Sequence, residues 1–204
     1  MADTAYTNIA LPAHTDNTYF TEPAGLQAFH LLSHQPAPGA SPDEAASGGK
    51  SLLVDGFNAA RILREEDRRA FEVLCKVRLP WHASGNEGIT IAPDRRYPVL
   101  EIGTNLTQPF RVRWNNDDRG VVPFSEGFEV GQWYDAARKW NEILKRKDSE
   151  FWFQLEPGAV LSTYTQSEWR RDPSNGPIVF DNWRVLHGRS AFSGIRRICG
   201  GYSK

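Results

Sequence analysis

Cysteine is scarce in this 204-residue chain: Cys75 and Cys199 are the only two. They stand far apart and in no metal-binding spacing, which excludes a disulfide scaffold and a sulfur-rich zinc site. Two buried thiols in a reducing compartment are the expectation. No charge of one sign dominates either. The 24 basic and 25 acidic side chains leave a formal charge of -1, without the basic excess that a nucleic-acid partner selects. Apolar runs are short, Leu52-Leu53-Val54 being typical, so no segment is a candidate membrane span and no membrane partner is expected. A signal peptide's basic-then-apolar opening is missing too. The expected location is therefore intracellular, cytoplasmic or mitochondrial, and Met1-Ala2-Asp3-Thr4-Ala5-Tyr6 reads like the inside of a domain. Length and composition suit one domain over 1–204 with a substantial core.

Aromatics are what the chain has in quantity: 7 Trp, 6 Tyr and 11 Phe, most of them explained by core packing. Short apolar stretches at 25–32 and 51–54 predict strands, with a surface loop rich in Pro, Gly, Ala and Ser over 34–49. Asn58 is a candidate cap for a helix running to Lys76, whose apolar side is Ile62, Leu63, Phe71, Leu74 and Cys75. A second helix over 130–147 places Trp133, Ala137, Trp140 and Leu144 on one stripe, a core pattern and not a ligand site. Phe151, Phe153 and Leu155 alternate like a half-buried strand, and 111–114 and 179–186 read as further strands. Short strands with helices outside them predict a mainly β fold, a jelly-roll double sheet with flanking helices.

The chemistry starts at His14-Thr15-Asp16. Residues two apart on a strand share a face, so His14 and Asp16 can converge on one metal. Composition alone supplies about 0.6 such His-x-acid pairs by chance, and the pair is weak by itself. His187, after an apolar strand and before Gly188, is a candidate third ligand from a distant part of the chain. Two imidazoles and one carboxylate leave three positions open on a metal, as in non-haem iron(II) oxygenases. Arg196, on the apolar stretch 195–202, can hold a carboxylate such as that of 2-oxoglutarate in a bidentate pair. Arg189 and Arg197 compete with it on composition, and Ser51 is a candidate hydroxyl donor or a plain turn serine.

Several blocks in order resemble the trimethyllysine dioxygenases, of the taurine dioxygenase-like superfamily. They are Asp3-Thr4-Ala5-Tyr6-Thr7, His14-Thr15-Asp16, Thr18-Tyr19-Phe20, Gly48-Gly49, Val54-Asp55-Gly56-Phe57 and Asp181-Asn182-Trp183-Arg184-Val185-Leu186-His187-Gly188-Arg189. The resemblance runs from Asp3 to Tyr202. It implies the double-stranded β-helix fold and hydroxylation of N6,N6,N6-trimethyllysine at C3, the first step of carnitine biosynthesis. It also implies Fe(II) as cofactor, 2-oxoglutarate as cosubstrate, O2 as co-reactant and ascorbate as an admissible reductant. His14, Asp16 and His187 match the iron ligands, Arg196 the arginine that binds 2-oxoglutarate and Ser51 its helper. Tyr6 and Tyr202 match the aromatic cage around the trimethylammonium group, a cation–π site; Asp3 and Asn115 match polar positions at the substrate's other end. A homodimer is admitted. Gamma-butyrobetaine dioxygenase, which shares fewer blocks, is the alternative activity.

Against that pattern the chain opens with the catalytic domain already under way and stops two residues after Tyr202, so a partial domain is expected, incomplete at its N-terminus. Residues 162–178, polar and without periodicity, stand as an atypical insertion. A truncated, catalytically incompetent fragment of the family is the second alternative.

Overall fold

The computed structural model describes residues 7–41, 45–83, 88, 90–103, 108–124, 127–158 and 178–204. Tyr6, Asp3 and nearly all of the expected insertion at 162–178 lie outside them.

Two antiparallel sheets face one another. The first is ordered β1 (Leu11–His14), β8 (Val185–Arg189), β3 (Ser51–Asp55), β6 (Glu150–Phe153), and the second β7 (Ile178–Asp181), β2 (Leu26–Gln35), β9 (Ile195–Ser203). A short ribbon pairs β4 (Leu100–Ile102) with β5 (Pro109–Val112). Strand period explains the layering. On β3, Leu52 and Val54 join the core under the helices, while Leu53, pointing the other way, joins Leu31, Leu155, Ile178, Phe180 and Val185 between the sheets. On β8, Leu186 belongs to the helical core and Val185 to the inter-sheet core. His187 therefore projects between the sheets, where its ring meets Phe29 and Phe180. The jelly-roll expectation agrees with this arrangement.

Helices α1 (Gly56–Glu66), α2 (Arg68–Lys76) and α3 (Val130–Leu144) cover the outer face of the first sheet. The α3 stripe is as expected, with Trp133, Ala137, Trp140 and Leu144 all buried. The single helix expected over 58–76 is corrected to two. The cap is Asp55, whose carboxylate accepts from the Phe57 and Asn58 amides, and not Asn58. At Asp67 the backbone leaves helical space; its carboxylate accepts from the Ala70 amide, so one residue ends α1 and caps α2. Lys139 of α3 donates to the same carboxylate. That bond, with the Ala70 amide, holds the Asp67 carboxyl below its usual range. A lowered folded-state pKa gives stability that is complete above the unfolded value and is lost as pH falls through the folded one. Asp67→Ala should cost about 1 kcal/mol at neutral pH, and the gap from wild type should close only below about pH 4. Urea denaturation of both chains across that range checks it; a gap independent of pH would reject it.

Other expectations are corrected locally. The strand expected over 179–186 is two strands in different sheets, because Asp181 folds back to accept from the Trp183 amide and turns the chain at Asn182. Strand 25–32 extends to Gln35, shortening the expected loop. Strand 111–114 is the earlier β5, with Arg113 and Trp114 buried just beyond it. Phe151, expected half-buried, is exposed on the edge strand β6, and Leu155 is buried after that strand ends. Only one thiol is sheltered: Cys75 is partly buried, its pKa pushed up to about 12 by burial, and Cys199 is exposed on β9. Among the described residues no helix is long and apolar enough to cross a membrane.

Candidate metal centre

Strand pairing builds the site. His14 of β1 lies opposite His187 of β8, their ring centroids 4.4 Å apart. The close approach of these strands depends on Gly188, where a Cβ would stand 2.6 Å from the Leu11 carbonyl oxygen. Asp16 is not on the strand, as the two-residue spacing predicted, but two residues past its end. It is placed instead by Asn182, buried in the turn between β7 and β8. The Asp16 amide donates to Asn182 Oδ1 at 2.9 Å, and Asn182 Nδ2 donates to the Asp16 and Ala24 carbonyls. Thr15 is tied to Trp114 by the Thr15 amide and by its hydroxyl, which accepts from the Trp114 amide.

One ligand atom from each of His14, Asp16 and His187 lies within 4.8 Å of the others. His14 Nε2 is 3.4 Å from Asp16 Oδ1, and His187 Nε2 is 3.7 Å from Oδ2. His14 Nδ1 donates to the Pro12 carbonyl at 2.8 Å, which leaves Nε2 as its ligand atom. His187 Nδ1 is buried and has no hydrogen-bond partner among the described residues. Burial, helped by the charge of His14, pushes the His187 pKa down to about 3, so the ring is neutral as a ligand must be. Burial opposes ionisation of His14 and Asp16 as well. Their mutual hydrogen bond and charge outweigh it, raising His14 and holding Asp16 well below the usual carboxylate range. Two imidazoles and a carboxylate gathered this closely fit a divalent metal with open positions.

Arg196 sits partly buried on β9, across from His34 of β2. The Gly49 backbone packs on it so closely that a Cβ there would be 3.1 Å from Arg196 Nε, and Nε has no hydrogen-bond partner among the described residues. Burial, and then the charge of Arg189, lower its pKa to about 10. Ser51 opens β3 two residues after Gly49. Arg189, the compositional rival, donates instead to the Thr7 and Ile9 carbonyls and so ties down the start of the chain; Arg197 is exposed.

Tyr202 comes to the centre by its hydroxyl, which donates to Asp16 Oδ2 at 2.8 Å. Asn115 lies just beyond Trp114, but its amide is used inside its own loop, donating to Asp118 and accepting from the Asp117 amide. The sequence assigns no role to two buried polar residues at the site: Asn182, present only within its motif block, and Gln27, whose Nε2 donates to Asp16 Oδ2 at 2.5 Å. Nothing local marks either one. Gln27 reads as a surface position of a strand, and Asn182 as part of an apolar run.

Similarity to known proteins agrees with this geometry. The chain is 62% identical to the trimethyllysine dioxygenase of Neurospora crassa over 99% of its own length and 44% of that protein. It is 27% identical to human gamma-butyrobetaine dioxygenase, over 92% of this chain and 41% of that one. It thus spans less than half the length of these relatives. Among solved structures, an asparagine oxygenase in complex with Fe(II), 3-hydroxyasparagine and succinate superposes with a TM-score of 0.61 at 14% identity, covering 96% of this chain and 50% of that one, which speaks for the fold. The sequence model of one family matches residues 1–162. With most of its length inside that match, the chain belongs to the taurine catabolism dioxygenase TauD, TfdA family.

Proposed function

We propose that this chain carries the catalytic centre of a trimethyllysine 3-hydroxylase, with Fe(II) at His14, Asp16 and His187 and 2-oxoglutarate at Arg196 and Ser51. The observation that carries the reading is the convergence of those three side chains within 4.8 Å, in a chain 62% identical to a trimethyllysine dioxygenase. Bound iron would supply the chemistry that couples conversion of 2-oxoglutarate and O2 to succinate and carbon dioxide with insertion of oxygen into a C–H bond.

The protein's own part is binding, orientation and exclusion of water. His187 offers a neutral ring nitrogen, His14 offers Nε2 once its proton is displaced, and Asp16 offsets charge on the metal. Three protein ligands would leave positions on the metal for cosubstrate and O2. Arg196 offers a carboxylate a guanidinium whose Nε has no partner among the described residues, and Ser51 is assigned on resemblance to assist it. A trimethylammonium group has no N–H to donate, so rings must hold it. Tyr202 stands beside the metal ligands for that task, and Tyr6 is assigned to it on resemblance. Asp3, likewise by resemblance, is assigned the α-ammonium that gamma-butyrobetaine lacks, and Asn115 the polar end of the substrate.

Succinate release with Fe(II), 2-oxoglutarate and ascorbate present tests the reading. It should depend on trimethyllysine and fail with lysine or gamma-butyrobetaine, and His187→Ala should abolish both it and tight Fe(II) binding. Release driven only by gamma-butyrobetaine would move the substrate assignment. No substrate-dependent release, with Fe(II) bound, would leave a metal-binding fragment without the activity.

A further inference from the structure

Gln27 is a polar residue where the fold calls for an apolar one. It lies inside β2, 1% exposed, in register with Phe180 on one side and Tyr202 on the other. Nε2 makes the bond to Asp16 Oδ2, but Oε1 is buried and accepts nothing among the described residues. An orphaned buried acceptor is destabilising, and an apolar side chain of the same shape would avoid it. Turning the amide over would aim Oε1 at the carboxylate, so the chemistry of Asp16 fixes its orientation. The orphaned Oε1 offsets what the bond to Asp16 contributes to stability. What the amide does is grip one carboxylate oxygen.

Tyr202 grips the same one. With Gln27 Nε2 at 2.5 Å and the Tyr202 hydroxyl at 2.8 Å, Oδ2 carries two donors, and Oδ1 keeps its lone pairs on the side of His14. A carboxylate free to rotate can bind a metal through both oxygens and fill a second position around it. We propose that Gln27 is a positioning residue that holds Asp16 as a one-oxygen ligand, keeping a neighbouring coordination position open. This rests on the reading of His14, Asp16 and His187 as a metal site. Gln27 acts through Asp16, to which its Nε2 is bonded.

The test separates a positioning role from a structural one. Gln27→Met and Gln27→Leu are made in the full chain, and Co(II) alone is the probe, because its visible spectrum reports coordination number. Both variants should melt, metal-free, at or above the wild-type temperature, since each removes an unsatisfied buried group. Both should bind Co(II) about 10–100-fold more weakly, with a changed visible spectrum. Wild-type Co(II) affinity and spectrum in both variants would overturn the proposal. So would a lower metal-free melting temperature in both, which would make Gln27 part of the scaffold. Failure of the wild-type chain itself to bind Co(II) would overturn the metal site, and this inference with it.

Discussion

Replacing Arg113 with alanine is expected to cost about 3–5 kcal/mol of stability, the usual result of removing one partner from a buried ion pair. Arg113 is fully buried, and its guanidinium is almost entirely used. Nε donates to Glu101 at 2.8 Å, Nη1 to the Thr18 and Phe20 carbonyls, and Nη2 to the Thr21 carbonyl. Its loss leaves Glu101, among the described residues, with the longer contact to Arg111 Nη1, at 3.7 Å, and strips three carbonyls of this donor. Those carbonyls belong to the segment that follows Asp16, so the damage should reach the metal centre. Thermal unfolding should show a drop of roughly 10 °C for a chain of this size. Lysine should not rescue it, because a single ammonium cannot reproduce a planar fork serving four acceptors. A change within 2 °C for Arg113→Ala would show that the loop is held by something else.

Arg196→Ala should weaken 2-oxoglutarate binding by orders of magnitude, since losing one partner of a desolvated charge pair costs roughly 2–5 kcal/mol. The motive is a guanidinium depressed by burial, next to another cation, with its Nε unpartnered. Calorimetric titration of 2-oxoglutarate should show the loss while Fe(II) affinity stays within a few-fold, because Arg196 is not among the three clustered ligands. Arg189→Ala should instead loosen the segment at Thr7 and Ile9. Should Arg189→Ala alone abolish cosubstrate binding, the two arginines have been assigned the wrong way round.

The sequence reveals the features that follow from period and from order of motifs. His187 faces the gap between the sheets because it alternates with Leu186, and α3 shows its buried stripe plainly. The sequence hides whatever depends on one residue doing two jobs at a distance. Asp67 looks like a tolerable interior helix residue, and only its bonds to Ala70 and Lys139 show that the helix breaks there. The run 179–186 is apolar on both sides of the turn, so its move from one sheet to the other carries no hydropathy signal. Asp16 was placed on a strand by spacing, whereas Asn182 places it. The cluster of three was legible from residue type; its supports, Gln27 and Asn182, were not, because buried polar residues are defined by partners that the linear order does not show.

The bond between Asp16 and Asn182 joins residues 166 positions apart, and the one between Arg189 and Thr7 spans 182. The three side chains thus do not come together until residues 182–189 have been made and have folded back on residues 7–16. While still on the ribosome, the polypeptide offers a passing metal only the His14-Thr15-Asp16 pair, a two-point hold that any surface can provide. Bringing the ends together carries a loop-closure penalty that rises only logarithmically with length, so distance itself is no great obstacle, but it sets an order of events: sheet first, ion second. Once seated, the ion binds only the closed chain and so favours closure by mass action, about 2.7 kcal/mol at a free concentration one hundred times its dissociation constant. Under the proposed function, scarcity of metal would accordingly shorten the life of the folded chain.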